Sequence, residues 1–306
     1  MVITRRQFSR AALTGLALPA LTGRWASASP VSGVRLGVQT YSFREIAKPG
    51  GTDSVDIIIG AMKSCGLDEC ELWSPQIELA APAARTGTAA EQQKAREGMR
   101  PWRMSTCRDY YDHVRQSFAA AGMTIYAYNL SFDEAFTDEE ITRGFEASKL
   151  LGAEVITAST TVRMARRLVP FAEKHNVPVA MHNHSRVEDP NEFATPQSFA
   201  TALAMSPRFR MNLDIGHFTA ADFDAMAFLE AHHDRISNLH LKDRKKHQGD
   251  NVAWGQGDTP IRQALSWLKR HKSPIRAYVE YEYAGTRGAV TEVKDCADFA
   301  RRALTT

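Results

Sequence analysis

The chain has 306 residues, 43% of them hydrophobic and 24% charged, with a formal net charge of +3. That is the composition of a globular protein with a sizeable core, and it argues against a fibrous, collagen-like or disordered chain. Acids and bases are interspersed, and only the run Lys242–His247 (KDRKKH) concentrates positive charge. Nucleic-acid binding, which needs a concentrated basic surface, is therefore not expected.

Residues 1–28 read as an export signal. Arg5 and Arg6 precede an apolar stretch, and Ala26, Ser27 and Ala28 follow in a small-residue cleavage pattern, the signature of a twin-arginine leader. Its apolar stretch is too short for a membrane span and contains Pro19. Cleavage would remove Arg5, Arg6, Arg10 and Arg24 and no acid, taking the formal charge from +3 to about −1. The mature protein, residues 29–306, is expected in the periplasm with no membrane anchor; its oligomeric state is open, with a homo-oligomer allowed. Cys65, Cys70, Cys107 and Cys296 form no metal-binding or redox motif. Buried thiols are expected, with a Cys65–Cys70 disulfide the alternative in an oxidising compartment.

From Val34 onward, short apolar runs alternate with amphipathic stretches, and the pair recurs eight times. The predicted strands span 34–39, 69–73, 123–129, 153–158, 177–182, 209–214, 235–241 and 275–282. Most are nearly continuous apolar runs, as expected of parallel strands covered on both faces. The predicted helices span 54–66, 89–121, 138–152, 162–176, 195–206, 222–234, 259–271 and 290–304. Several open with Ser, Thr or Asp ahead of Pro or an acid, as helix starts do. Eight strand–helix units without a flexible linker predict a single α/β domain, a (β/α)8 TIM barrel; an open doubly wound sheet is the alternative. The stretch 77–107 exceeds an ordinary barrel connection and is expected to form an extra loop over the mouth.

In such a barrel, chemistry sits at the carboxyl ends of the strands. Here those ends carry Glu71, His182 and His184, Asp214 followed by His217, His240 with Lys242, and Glu280 with Glu282. Buried carboxylates and imidazoles are costly unless paired or bound to a cation. Two histidines and two carboxylates on one mouth suit one divalent ion, Mn, Zn, Co, Mg or Fe, rather than a soft metal. Strand alternation points His182 and His184 the same way and Asn183 the other. His184, the outer of the two, is the preferred ligand, and His182 the neighbour that touches substrate or braces it. On the last strand Glu280 is the preferred ligand, with Glu282 in reserve. Glu71 or Glu280 is the expected base, with His182, His217 or Lys242 donating a proton or holding hydroxyls. Trp73, Trp254 and Glu282 are expected to contact substrate, with core or lid packing the alternative for the two tryptophans. The loop WGQGDTP (254–260) has too few glycines for a nucleotide fingerprint and reads as a turn at the mouth.

The segments GVQTYSFRE, ECELW, MHNHS, NLDIGH, NLHLKD, WGQGDTP and YVEYE, in this order, resemble the sugar phosphate isomerase/epimerase family of the xylose isomerase-like barrel superfamily, and in particular its exported branch. The resemblance covers the chain from about Val34 to its last helix. It implies one divalent metal held at strands five to eight by His184, Asp214, His240 and Glu280, and a carbohydrate or keto-sugar substrate. In epimerases of this superfamily the strand-five ligand is a proton-moving Glu; here that position is His184. The implied activity is isomerisation or epimerisation by proton abstraction next to a carbonyl. A lyase or hydratase acting on 3-keto-glycosides and a non-catalytic sugar-binding barrel are the alternatives.

Overall fold

The structure is a computed structural model that describes residues 30–46, 53–78 and 88–306; the expected leader, residues 1–28, lies outside them. Eight parallel strands close into a barrel: β1 (Leu36–Gln39), β2 (Glu69–Trp73), β3 (Thr124–Asn129), β4 (Val155–Ala158), β5 (Val179–His182), β6 (Phe209–Asp214), β7 (Ile236–Leu241) and β8 (Arg276–Val279). Each pairs with its neighbours in sequence, and β1 pairs with β8 to complete the ring, Val38 lying opposite Val279. The (β/α)8 expectation holds, and the open sheet is excluded. No helix among the described residues is long and apolar enough to cross a membrane.

The helices are α1 (Val55–Cys65), α2 (Ala89–Ser105), α3 (Arg108–Ala120), α4 (Asp138–Leu150), α5 (Val162–His175), α6 (Pro196–Met205), α7 (Ile215–Ala220), α8 (Ala225–His232), α9 (Ile261–Arg270) and α10 (Ala289–Thr305). Local chemistry sets their ends. Thr88, Thr137 and Thr195 each cap a helix through a reciprocal capping box, and Gly66 ends α1 in the left-handed conformation. Helix α9 shows how a helix is held: Ile261, Ala264, Leu265 and Leu268 recur at helical spacing and are buried. Truncating Leu268 to Ala would cost about 2–5 kcal/mol.

Two expectations change here. The helix predicted over 89–121 is interrupted at Thr106–Cys107, where the backbone turns extended. The described part of the expected extra loop is mostly helix α2, which packs beside α4, its Arg103 donating to Glu78 and Glu140; residues 79–87 of that stretch lie outside the described residues. Cys65 and Cys70 are free, buried thiols, and burial pushes the Cys65 thiol up to about 11.

Candidate metal centre and cleft

The barrel interior is polar where strand alternation turns Gln39, Glu71, Asn129, Thr157, Asn212 and Asn238 inward. Glu71 on β2 meets Asn238 and His240 on β7, which is not its neighbour, so these side chains meet inside the ring. Gln39, Asn129 and Thr157 bond the same carboxylate at 2.7, 3.0 and 2.6 Å. Above this layer lies a cleft of about 350 Å³, within the size range of small-molecule sites. It is lined by Gln39, Tyr41, Trp73, Asn129, Ser131, Ser159, His182, His184, His217, His240, Lys242, Glu280 and Glu282.

His182, Asp214, His240 and Glu280, all buried, bring one donor atom each within 4.8 Å of one another. Each comes from the end of a different strand, β5 to β8. His182 Nδ1, Asp214 Oδ2, His240 Nδ1 and Glu280 Oε2 are buried without a directed hydrogen bond, although ammonium and imidazole nitrogens lie close to the two oxygens. Four under-satisfied atoms, one from each converging residue, are the pattern expected of a cation site. The mixed N/O donor set fits a borderline or hard divalent ion.

Charge points the same way. His240 lies 2.8 Å from Glu71 and 3.0 Å from Glu280. Burial alone would lower its pKa, but the two carboxylates outweigh burial and raise it well above the ordinary imidazole range. Lys242 Nζ lies 3.0 Å from Asp214, 2.8 Å from Glu280 and 2.5 Å from Glu282. Burial opposes its charge, and the three acids more than restore it. Glu280 feels the same balance from the other side: burial would raise it, but His240 and Lys242 hold it well below the usual carboxylate range. Asp214 is pushed up to about 7 by burial, against the pull of Lys242. With His240 neutral, as a ligand imidazole must be, the four carboxylates Glu71, Asp214, Glu280 and Glu282, when ionised, exceed the one cation Lys242 by three charges, most of which a divalent ion would offset.

The strand-five position differs from expectation. His182, not His184, joins Asp214, His240 and Glu280; His184 belongs to an outer trio with His182 and His217. The reason is depth. His182 is the last residue of β5 and pairs with Asn212 inside β6, whereas His184 lies two residues beyond the strand end. There His184 Nδ1 sits 2.5 Å from Glu192, whose other oxygen accepts from Arg186. The two rings do share a side, 5.2 Å apart, and Asn183 turns away to bond the backbone of Asp214. His182 stays neutral, its pKa lowered by burial and by the charge of His240.

His217 reaches the cleft because Asp214 caps α7, accepting its backbone N–H at 2.7 Å. Gly216 permits the approach: a Cβ there would lie 2.3 Å from Lys242 Cγ. The two ring nitrogens of His217 face Arg244 at 2.7 Å and Lys242 at 3.1 Å, and a neutral ring can accept from one of the two. Burial, then Lys242, lower its pKa well below the ordinary value.

Trp73 and Glu282 line the cleft as expected. Trp254 does not: it packs edge-on against Phe299 of α10 at 5.7 Å. The glycine loop behind it wraps a carboxylate, with the N–H groups of Gly255, Gly257 and Thr259 donating to Asp243. Glu71 is fully buried and does not line the cleft, which removes it as a base acting on substrate.

Sequence reasoning missed Gln39, Asn129, Thr157, Asn212, Asn238, Glu192 and Arg244. A signal existed for two of them, because Asn212–Asp214 and Asn238–His240–Lys242 share the period of two that picks out one face of a strand.

The profile of the xylose isomerase-like TIM barrel family matches residues 81–303, well over half of the chain. The chain belongs to that family. Among solved structures it is similar to a sugar phosphate isomerase/epimerase from Parabacteroides distasonis, with 16% identity, 87% of this chain and 95% of that one covered, and a TM-score of 0.60. It is also similar to a 3-keto-D-glucoside 4-epimerase from E. coli, with 11% identity, 88% and 99% covered, and a TM-score of 0.60. The IOLI protein, solved with a bound zinc atom, shares 16% identity over 89% of this chain and 95% of that one, with a TM-score of 0.58. Comparison with curated proteins returned no match. At these identities the neighbours establish the fold.

Proposed function

We propose that this chain is a divalent-metal-dependent isomerase or epimerase of a carbohydrate or keto-sugar, working by proton abstraction next to a carbonyl. The observation that supports it is the four-residue cluster of His182, Asp214, His240 and Glu280, with its under-satisfied atoms, at the floor of a polar cleft. When bound there, a divalent ion supplies Lewis acidity toward a carbonyl and its neighbouring hydroxyl.

The chain's own residues supply the proton transfer. His184 faces the cleft with Nδ1–H donated to Glu192, which leaves its Nε2 lone pair for the substrate proton, and the Glu192 carboxylate steadies the imidazolium that forms. Lys242 and Glu282, bonded to each other at the cleft wall, hold substrate hydroxyls. Trp73, edge-on to Tyr41 at 4.9 Å, offers an aromatic wall for a sugar ring. His184 then returns the proton to the neighbouring carbon in isomerisation, whereas inversion at the same carbon needs a second donor on the opposite face. The twin-arginine pattern of residues 1–28 favours export and, with it, a substrate met in the periplasm.

The test is metal content of the purified protein beside Asp214→Ala, followed by solvent deuterium incorporation into a panel of keto-sugars. About one divalent ion per chain, lost in the variant, together with deuterium in recovered substrate or product, is the expected result. No metal on reconstitution and no exchange would favour a non-catalytic sugar-binding barrel.

A further inference from the structure

Glu71 reaches the centre of the barrel with no solvent exposure. Its Oε1 accepts from Gln39 Nε2, Asn129 Nδ2 and Thr157 Oγ1. Its Oε2 accepts from Asn238 Nδ2 at 2.9 Å and faces His240 Nε2 at 2.8 Å, while Asn212 Nδ2 lies 3.4 Å from both oxygens. A carboxylate offers about four acceptor sites, so none is left for a substrate proton. A buried charge is expensive to keep, and the group this one can serve is His240.

The hydrogen-bond logic fixes the ring. A carboxylate only accepts, so the imidazole nitrogen facing it carries the hydrogen. Asn212 Nδ2 also lies 3.1 Å from that nitrogen and, as a donor, would impose the opposite tautomer. The contact to the anion is shorter and charge-assisted, and it prevails. Nδ1 faces Glu280 Oε2 at 3.0 Å, so without a cation it too carries a hydrogen and the ring is an imidazolium; a cation bound between His240 and Glu280 takes the place of that hydrogen and leaves Nε2–H turned to Glu71.

We infer that Glu71 is a positioning residue: its anchored carboxylate holds His240 as the Nε2–H tautomer, so that Nδ1 faces the cation position shared with His182, Asp214 and Glu280. This rests on the metal-centre reading proposed above. An anion behind an imidazole behind a cation is a general device for orienting ligand histidines, and losing the outer carboxylate costs roughly 10- to 100-fold in metal affinity. In Glu71→Gln the amide can donate to His240 Nε2, move the ring hydrogen to Nδ1, and turn a donor toward the cation.

The experiment is calorimetric titration of Zn²⁺ into metal-free wild type, Glu71→Gln and Thr157→Val. Thr157→Val removes one donor from the cradle and leaves the carboxylate in place. Expected are a roughly 10- to 100-fold weaker Kd for Glu71→Gln and a Kd within about threefold of wild type for Thr157→Val. A second measurement needs no variant to fold: long-range proton–nitrogen correlations of the zinc-loaded, nitrogen-15-histidine-labelled wild type, which read the tautomer of His240. A hydrogen on Nε2 supports the inference; a hydrogen on Nδ1, with Asn212 donating to Nε2, overturns it. Equal Kd for wild type and Glu71→Gln overturns the positioning role alone. A wild type that binds no zinc overturns the metal centre and this inference with it.

Discussion

Replacing Lys242 by Met tests the electrostatics of the site directly. The side chain is 2% exposed and its ammonium lies 2.5–3.0 Å from Glu282, Glu280 and Asp214. Met matches the stem but leaves three acids without their common cation, and breaking a buried pair by removing one partner costs about 3–5 kcal/mol. In a chain of this size, 1 kcal/mol moves Tm by about 2–4 °C, so the metal-free variant should melt roughly 6–20 °C below wild type. A divalent ion supplies the missing charge, and in the variant it no longer competes with an ammonium for Asp214 and Glu280. Zn²⁺ at 100 times the wild-type Kd adds about 2.7 kcal/mol to wild type, and at that same concentration the rise in Tm should be larger in Lys242→Met, which binds the ion more tightly. The assay is scanning calorimetry of chelator-treated and zinc-loaded proteins. A metal-free variant melting within about 2 °C of wild type, or one that zinc stabilises less than wild type, would refute the charge argument.

The metal-free wild type should lose stability relative to Asp214→Asn as pH rises from about 4 to about 7, and the difference should be level above that. Asp214 is pushed up to about 7 in the fold, so the native state holds a proton that the unfolded chain gives up near its ordinary value, and the stability from that proton is lost with rising pH. Parallel melting curves of the two proteins across that range check the slope; a difference independent of pH contradicts it. Once a substrate is in hand, Glu192→Ala should lower kcat by about 10²–10⁴ with a small change in KM, and Glu192→Gln, which keeps an acceptor for His184, should recover part of the loss. Equal loss in both variants would count against positioning of His184. Gly216→Ala should destabilise by about 1–3 kcal/mol, because its Cβ would meet both the Lys242 side chain and its carbonyl oxygen at 2.6 Å; an unchanged denaturation midpoint would show that α7 moves aside freely.

Eightfold alternation of apolar runs with amphipathic helices made the barrel legible, since each unit announces itself locally. The acids and histidines at strand ends were legible for the same reason. The depth of each side chain was not. His182 and His184 share a face, and only the stagger of β5 against β6 and β7 makes His182 the neighbour of Asp214 and His240. Glu71 read as a base because it lies toward the carboxyl end of the second strand, while its amide partners lie on strands β1, β3, β6 and β7, brought together only by closure. Trp254 misled for the opposite reason: proximity in sequence to the mouth does not fix which way a loop side chain turns.

The Glu71 cradle also bears on how the barrel comes apart. Its partners come from β1, β3, β4, β6 and β7, so with β2 it ties six of the eight strands to one charge. Parting any of those strands from the ring strands donors inside or bares an anion, and a half-barrel containing β2 keeps the anion without its partners from across the ring. The barrel should therefore open as one cooperative unit, with the amides of these strands exchanging with solvent together rather than seam by seam. Chemistry and closure depend here on the same buried anion, so variants that loosen the floor of the site should also lower the barrier to opening the ring.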